Sequence, residues 1–319
     1  MAKKLINRKE ISDEDWLSLR KKSLGGSDAS KVIGVNPFAS PLSLYVEKLD
    51  ISSPKETKSH GALWLGKRLE DDIALLYEEV EGKKTRKDNI MWVDDEYPFI
   101  TANIDRKIIG ENAGVEIKSM SRERARNYDL AGGEAPEEYI AQCRHYQMVL
   151  GWDYVDLAIY VLQEELYVIR IDRDEEYIKD LREREVEYWT NYIEKQQMPA
   201  PDGSESSTEA LKTIYPENTS EYEVLDAAFD TLVGNYKEFA RLEKYYKTEK
   251  ERARDLACEK IGTNAYGRGI KWQCSWKPTT TTRIDTTRLK KDLPAIYAKY
   301  SKTTTSRRFN TKEIMTKER

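Results

Sequence analysis

Residues 114–120, GVEIKSM, alternate strictly: Val115 and Ile117 are β-branched and apolar, Glu116 and Lys118 are charged. On a strand this puts the acid and the base on one face and the apolar pair on the other. The ordinary reading of such alternation is a half-exposed strand with solvated charges. Eleven residues before Glu116, in TANIDRKII, lies Asp105. If the two segments form a hairpin, a four-residue loop at Glu111–Gly114 brings Asp105 to the face of Glu116 and Lys118, whereas a five-residue loop needs a bulge to do so. Two carboxylates and a lysine on one sheet face repel unless something offsets them. Mg²⁺ held by oxygen ligands would do so, the remaining positions going to water and a phosphate. The lysine would then position or activate the water in metal-assisted phosphodiester hydrolysis.

The flanking pattern is mixed α/β. SDEDWLSLRKKSLGG predicts a helix capped by Ser12 and stopped at Gly25-Gly26. A short helix follows from Ser27 or Asp28 to Gly34, and another opens at Pro41. A helix is expected over residues 62–80, strands at NIMWV and YPFITANIDRKII, and a turn at GENAG. Pro136 opens a helix that Gly151 closes; YVDLAIYVL and ELYVIRI form a hairpin; a charged helix covers about 174–197. Pro, Gly and Ser in QMPAPDGSES mark a boundary near residue 200. Beyond it we expect a long helix over about 220–260, a strand at YGRGIKWQCSWKP, a short helix at RLKKDLPAIYAKY and a last strand at RRFNTKEI. On the helix at 62–80, Glu70 shares a stripe with Gly66, Ile73 and Tyr77; on the helix from Pro136, Gln142 shares one with Tyr139, Tyr146 and Val149. A polar residue on such a stripe marks either the rim of a core or a site.

Composition narrows the chemistry. Cys143, Cys258 and Cys274 are scattered and odd in number, which argues against a cysteine-held zinc or iron–sulfur centre, and two histidines are too few for a histidine-rich one. No apolar run reaches membrane-spanning length and the first residues lack the apolar core of a secretory signal, so a cytoplasmic protein is expected. Net charge is −4, unevenly spread: from Arg283 to Arg319 eleven Lys or Arg face four Asp or Glu, giving that stretch +7 and the other 282 residues −11. A basic tail on an acidic body is a solvated surface or a footprint for phosphate.

NID followed by EIK resembles the PD-(D/E)xK nuclease signature. Together with RKKSLGGSDASKVIGVNPFASPLSLYVEK, LGKRLEDD, DEYPFITANID and EYIAQCRHYQMVLG, it is similar to the lambda-exonuclease-like, or YqaJ-like viral recombinase, family over about residues 15–200. The resemblance implies a restriction-endonuclease-like core, a mixed central sheet flanked by helices, over residues 1–200, with 201–319 as a C-terminal helical and small α/β extension. It implies Asp105, Glu116 and the Ile117 carbonyl as metal ligands and Lys118 as the catalytic lysine. Glu70 would complete the acidic cluster, Gln142 would orient the nucleophile or the lysine, and Asp95 is a further acid of unassigned role. Arg20 and Ser27 match a pocket for a terminal 5′-phosphate, a guanidinium beside the amides of a Gly-Gly-Ser turn. Ile104 stands where the signature has proline, and Asn103 where a small hydroxyl residue can help hold that phosphate. The activity implied is a Mg²⁺-dependent 5′→3′ exonuclease on double-stranded DNA, with Mn²⁺ able to substitute, encoded by a phage or prophage in a bacterial host. A single-strand annealing protein and a trimeric ring are implied as partner and assembly. A non-cutting mediator that holds DNA ends, and an endonuclease of the same fold, remain alternatives.

Overall fold

The computed structural model describes residues 2–51, 61–217, 223–302 and 309–311, and only the backbone of 62 and 63. Two compact units divide at Asn218 and Thr219. The first opens with strand β1 (Lys3–Asn7) and three short helices, α1 (Asp13–Lys21), α2 (Gly26–Val32) and α3 (Pro41–Lys48). Ser12 caps α1 by accepting from the Asp15 amide, and Ser40 caps α3, which begins at Pro41. Helix α4 (Ala62–Glu81) stops at Gly82, whose φ of 67° suits a residue without Cβ. Strands β2 (Thr85–Lys87), β3 (Ile90–Val93), β4 (Thr101–Ala102), β5 (Arg106–Ile108) and β6 (Ala113–Met120) follow, then a single helical turn α5 (Arg122–Ala125) and helix α6 (Glu137–Leu150), closed by Gly151. Strands β7 (Tyr154–Val161) and β8 (Leu166–Asp172) form the expected hairpin. Helix α7 (Glu175–Tyr188) ends in a π-helical stretch, Trp189–Glu194, and α8 (Glu205–Ile214) completes the unit.

The central sheet runs β2-β5-β6-β7-β8, with β6 and β7 parallel and the other pairs antiparallel. This is the mixed central sheet that the resemblance implies. Val115 and Ile117 of β6 pack with Ile73 and Tyr77 of α4 on one face. The opposite face, which carries Leu157 and Ile159 of β7, packs with Tyr146 and Val149 of α6. Glu116 pairs with Leu157 across the parallel ladder, so the charged face of β6 lies under α6. It is covered, not solvated. A second sheet, β1-β3-β4, joins the N-terminal helices through one parallel bridge between Leu24 and Ile100. There the Leu24 amide donates to the Phe99 carbonyl at 2.7 Å and the Thr101 amide to the Leu24 carbonyl at 2.8 Å.

The Pro/Gly/Ser stretch expected to mark a boundary near 200 is a bend inside the first unit. Helix α8 after it buries Ala210 with Leu42, Leu44 and Trp189, so this unit continues to Asn218. In the second unit, α9 (Ala227–Ile261) is the long helix expected, capped by Asp226. The expected strand at YGRGIKWQCSWKP is instead a hairpin, β9 (Tyr266–Arg268) with β10 (Gln273–Ser275), because the chain reverses after Gly269. The expected helix at RLKKDLPAIYAKY is two, α10 (Thr286–Asp292) and α11 (Pro294–Tyr300): Pro294 has no N–H with which to continue the first. The last expected strand falls mostly outside the described residues, and residues 309–311 are not in a strand.

Candidate active site

Strand β6 supplies the base of the site. Its partner β5 is in register with Arg106 opposite Val115 and Lys107 opposite Gly114. Extending that register places Asp105 opposite Glu116. The connection has the four-residue parity expected, though it sits at 109–112, two positions earlier than its predicted place. Asp105 lies one residue before β5 begins, where its Oδ2 accepts from the Ile117 amide at 2.9 Å. The carboxylate caps a strand amide that has no ladder partner there.

Helix α6 brings Gln142 down onto the same face. Gln142 Nε2 donates to Glu116 Oε1 at 2.6 Å and to the Tyr146 hydroxyl at 2.8 Å, and Gln142 Oε1 accepts from Lys118 Nζ at 3.0 Å. Lys118 Nζ also donates to Glu116 Oε1, and the Tyr146 hydroxyl donates to the Asn103 carbonyl at 2.8 Å. A Cβ added to Gly26 would come within 2.5 Å of the Tyr146 ring, so α2 approaches closely enough to hold that ring in place.

These groups line one cleft of about 670 Å³, which also contains Arg20, Ser27, Glu70 and Asn103. The structure therefore brings together Asp105, Glu116, Ile117, Lys118, Gln142, Glu70, Arg20, Ser27 and Asn103. Asp95 is not among the lining residues and is exposed in the turn after β3. The buried acid of that turn is its neighbour Asp94, held by Arg182 at 2.9 and 3.1 Å. Glu70 sits at the rim, its carboxylate 2.9 Å from Lys87 Nζ. Arg20 donates to Ser27 Oγ at 3.2 Å toward the other end of the cleft.

The electrostatics of the cluster are strained. Burial pushes the Asp105 carboxyl well above the usual carboxylate range, and the negative charge of Glu116 pushes it further. Burial alone would lower the Lys118 ammonium, but Glu116 and Asp105 outweigh it and raise its pKa above the ordinary lysine value. Lys118 is thus a charged donor here and not a free base. Glu116 Oε2 and Asn103 Oδ1 are buried and find no hydrogen-bond partner among the described residues. A buried acceptor left bare costs roughly 1–3 kcal/mol, so each of these oxygens suits a cation or an ordered water. Among the described residues no three Asp, Glu, His or Cys side chains group into a cage of their own. Two carboxylates, a backbone carbonyl and open cleft nevertheless fit Mg²⁺, which keeps several waters and takes substrate phosphate oxygens as ligands.

Several contributors escaped the sequence reading. Tyr146 was visible only as an apolar-stripe neighbour of Gln142. Lys48 is buried with Asp28, Nζ to Oδ2 at 2.6 Å, and also donates to the Arg20 carbonyl at 2.8 Å. Asp28 in turn accepts from the Gly25 amide at 3.2 Å. Burial alone would raise Asp28, yet Lys31 and Lys48 hold its carboxyl well below the usual range. This buried pair ties the end of α1 to the start of α2 and so fixes Arg20 beside Ser27. A lysine paired 20 residues back in sequence leaves no periodic signal.

Residues 15–153 match the model of the YqaJ-like viral recombinase domain. The uncharacterized protein YqaJ of Bacillus subtilis (strain 168) is 33% identical over 321 residues, covering 98% of each chain. Among solved structures, the alkaline exonuclease LHK-Exo from Laribacter hongkongensis is 17% identical, covers 57% of this chain and 97% of its own, and superposes with a TM-score of 0.47. A phage-related exonuclease from Haemophilus somnus 129PT is 16% identical, covering 55% and 96%, with a TM-score of 0.38. The full-length match to YqaJ, together with the domain match across the cleft residues, places this chain in the YqaJ-like viral recombinase family.

Proposed function

We propose that the cleft is the active site of a Mg²⁺-dependent 5′→3′ exonuclease on double-stranded DNA, working in phage or prophage recombination in the bacterial cytoplasm. The observation that carries this reading is the joint placement of Asp105, Glu116 and Lys118 in the same cleft as the Arg20–Ser27 pair. Asp105, Glu116 through its bare Oε2, and the Ile117 carbonyl would hold the metal, with Glu70 nearby to hold water. Bound there, Mg²⁺ supplies Lewis-acid polarisation of the phosphate and makes water more acidic; Mn²⁺ is expected to substitute.

The chain's own groups do the rest. Lys118, oriented by Gln142, presents an ammonium to the scissile phosphate and offsets the charge that develops on it. Arg20 and Ser27, with Asn103, hold the terminal 5′-phosphate as a charge-assisted contact. Water attacks the phosphorus between the first and second nucleotides, and the bond to the 3′ oxygen of the first breaks. One 5′-mononucleotide leaves, and the shortened strand carries a new 5′-phosphate of the kind the Arg20 pocket binds. Repetition leaves a 3′ single strand for an annealing protein, and a ring-shaped trimer would keep the duplex threaded.

The test is digestion of a linear duplex with a 5′-phosphate at one end and a 5′-hydroxyl at the other, in Mg²⁺ or EDTA. Metal-dependent loss of the phosphorylated strand with closed circles intact supports the reading. Cutting of closed circles would replace it with an endonuclease, and binding without cutting with a DNA-end mediator.

A further inference from the structure

Between Gly262 and Ile284 the chain holds four Lys or Arg and no Asp or Glu, although acids outnumber bases 57 to 53 in the whole protein. This stretch contains the β9–β10 hairpin, in which Arg268 pairs with Gln273 and Tyr266 with Ser275. The Gly269 amide donates to the Trp272 carbonyl at 2.9 Å and closes the tip. The hairpin is anchored to the end of α9: a Cβ on Gly267 would lie 2.7 Å from Ile261 Cγ1, at the last residue of that helix. Away from that point its large side chains face solvent. Ile270 is 104% exposed, Trp272 83%, and Trp276 also lies open.

A two-stranded hairpin on its own is marginally stable in water, and an indole left in solvent contributes nothing to folding. Among the described residues nothing covers the rings at this tip, and a ligand from solution can reach them. Tryptophan faces interleaved with Arg268, Lys271 and Lys277 are the combination that holds single-stranded nucleic acid: bases stack on the rings and the cations follow the backbone. A duplex hides the faces of its bases, so rings of this kind favour an unpaired strand. The local excess of positive charge selects a polyanion over an apolar protein surface.

We propose that the β9–β10 hairpin is a binding site for single-stranded DNA, with Trp272 and Trp276 stacking on bases and Arg268, Lys271 and Lys277 on phosphates. The identity of that strand in the cell, the 3′ tail left by digestion, rests on the nuclease reading; the binding itself does not.

The experiment uses the full chain in EDTA, with fluorescein-labelled oligo(dT) and a blunt duplex compared by anisotropy. Trp272→Ala should weaken oligo(dT) binding about tenfold or more, with Trp272→Phe recovering part of it. Arg268→Ala with Lys271→Ala should flatten the salt dependence by about 0.7 in log–log slope for each phosphate no longer neutralised. Equal oligo(dT) affinity of parent and Trp272→Ala would overturn the proposal. So would an equal Trp272 dependence for duplex, or a changed sedimentation coefficient of Trp272→Ala with oligo(dT) affinity unchanged, which would make the tip a contact between copies. Digestion in Mg²⁺ is read separately. Cutting without Trp272-dependent binding removes this inference alone, and Trp272-dependent binding without cutting removes the nuclease reading alone.

Discussion

Gln142 Nε2 and Lys118 Nζ converge on the same oxygen of Glu116, Oε1, the amide at 2.6 Å. That leaves Oε2 as the bare oxygen of the pair. A residue on a helix thus decides which lone pairs of a strand carboxylate remain available.

Gln142→Leu is expected to lower cleavage about 10–100-fold, the usual cost of losing the partner that orients a ligand. Isothermal titration with Mg²⁺ should show weaker metal affinity in the same variant. Unchanged values of both would remove Gln142 from its orienting role.

Lys118→Ala should reduce cleavage by at least about a hundredfold while the chain stays folded, since in the proposed reaction it is the donor that faces the developing charge. Single-turnover digestion beside a circular dichroism melt checks this. A variant that cuts at the parent rate would show the site to be wrongly assigned.

His145 gives the pH dependence. Its Nδ1 lies 2.8 Å from Glu185 Oε1 and its Nε2 2.8 Å from the Thr101 carbonyl, so both ring nitrogens face acceptors and the doubly protonated ring fits. Burial works against the charge, but Glu185 outweighs it and the pKa is raised above 6.5. A raised folded value means the stabilisation is fully present below pH 6.5 and is lost as pH climbs through the folded value. Glu185→Gln should therefore lower the Tm more at about pH 5.5 than at about pH 8.5, read by melts across that range.

Lys48→Met removes one partner of a buried pair and leaves Asp28 with Lys31 and the Gly25 amide. We expect a loss of about 3 kcal/mol, at the low end for breaking such a pair because Lys31 remains. Guanidinium titration measures it. Discrimination between 5′-phosphate and 5′-hydroxyl ends should fall as well, since Lys48 also holds the Arg20 carbonyl.

Much of the candidate site's geometry was legible because hairpin parity and helix stripes are local rules. Asp105, Glu116 and Lys118 share a face by period two, and Gln142 joins them by period 3.6. What was not legible depends on distant partners. Strand β2, with the sequence TRK, is too polar to announce itself and forms by pairing with β5. Helix α8 belongs to the first unit only because Ala210 finds the core formed by α3 and the end of α7. Asp95 and Asp94 are adjacent, and only the position of Arg182, 88 residues on from Asp94, decides which of them is buried. The hairpin at Gly269 was readable in principle, but the alternation of Ile270, Trp272, Cys274 and Trp276 outweighed the glycine.

The bridge between Leu24 and Ile100 behaves as a caliper. One jaw carries Ser27, three residues past Leu24, and the other carries Asn103 and Asp105, three and five past Ile100. Both are counted along the backbone from the same pair of hydrogen bonds, so the number of residues on each arm sets their span. An inserted or deleted residue on either arm would reset it, which makes length variation in these two short segments the place to look for relatives whose clefts differ in span.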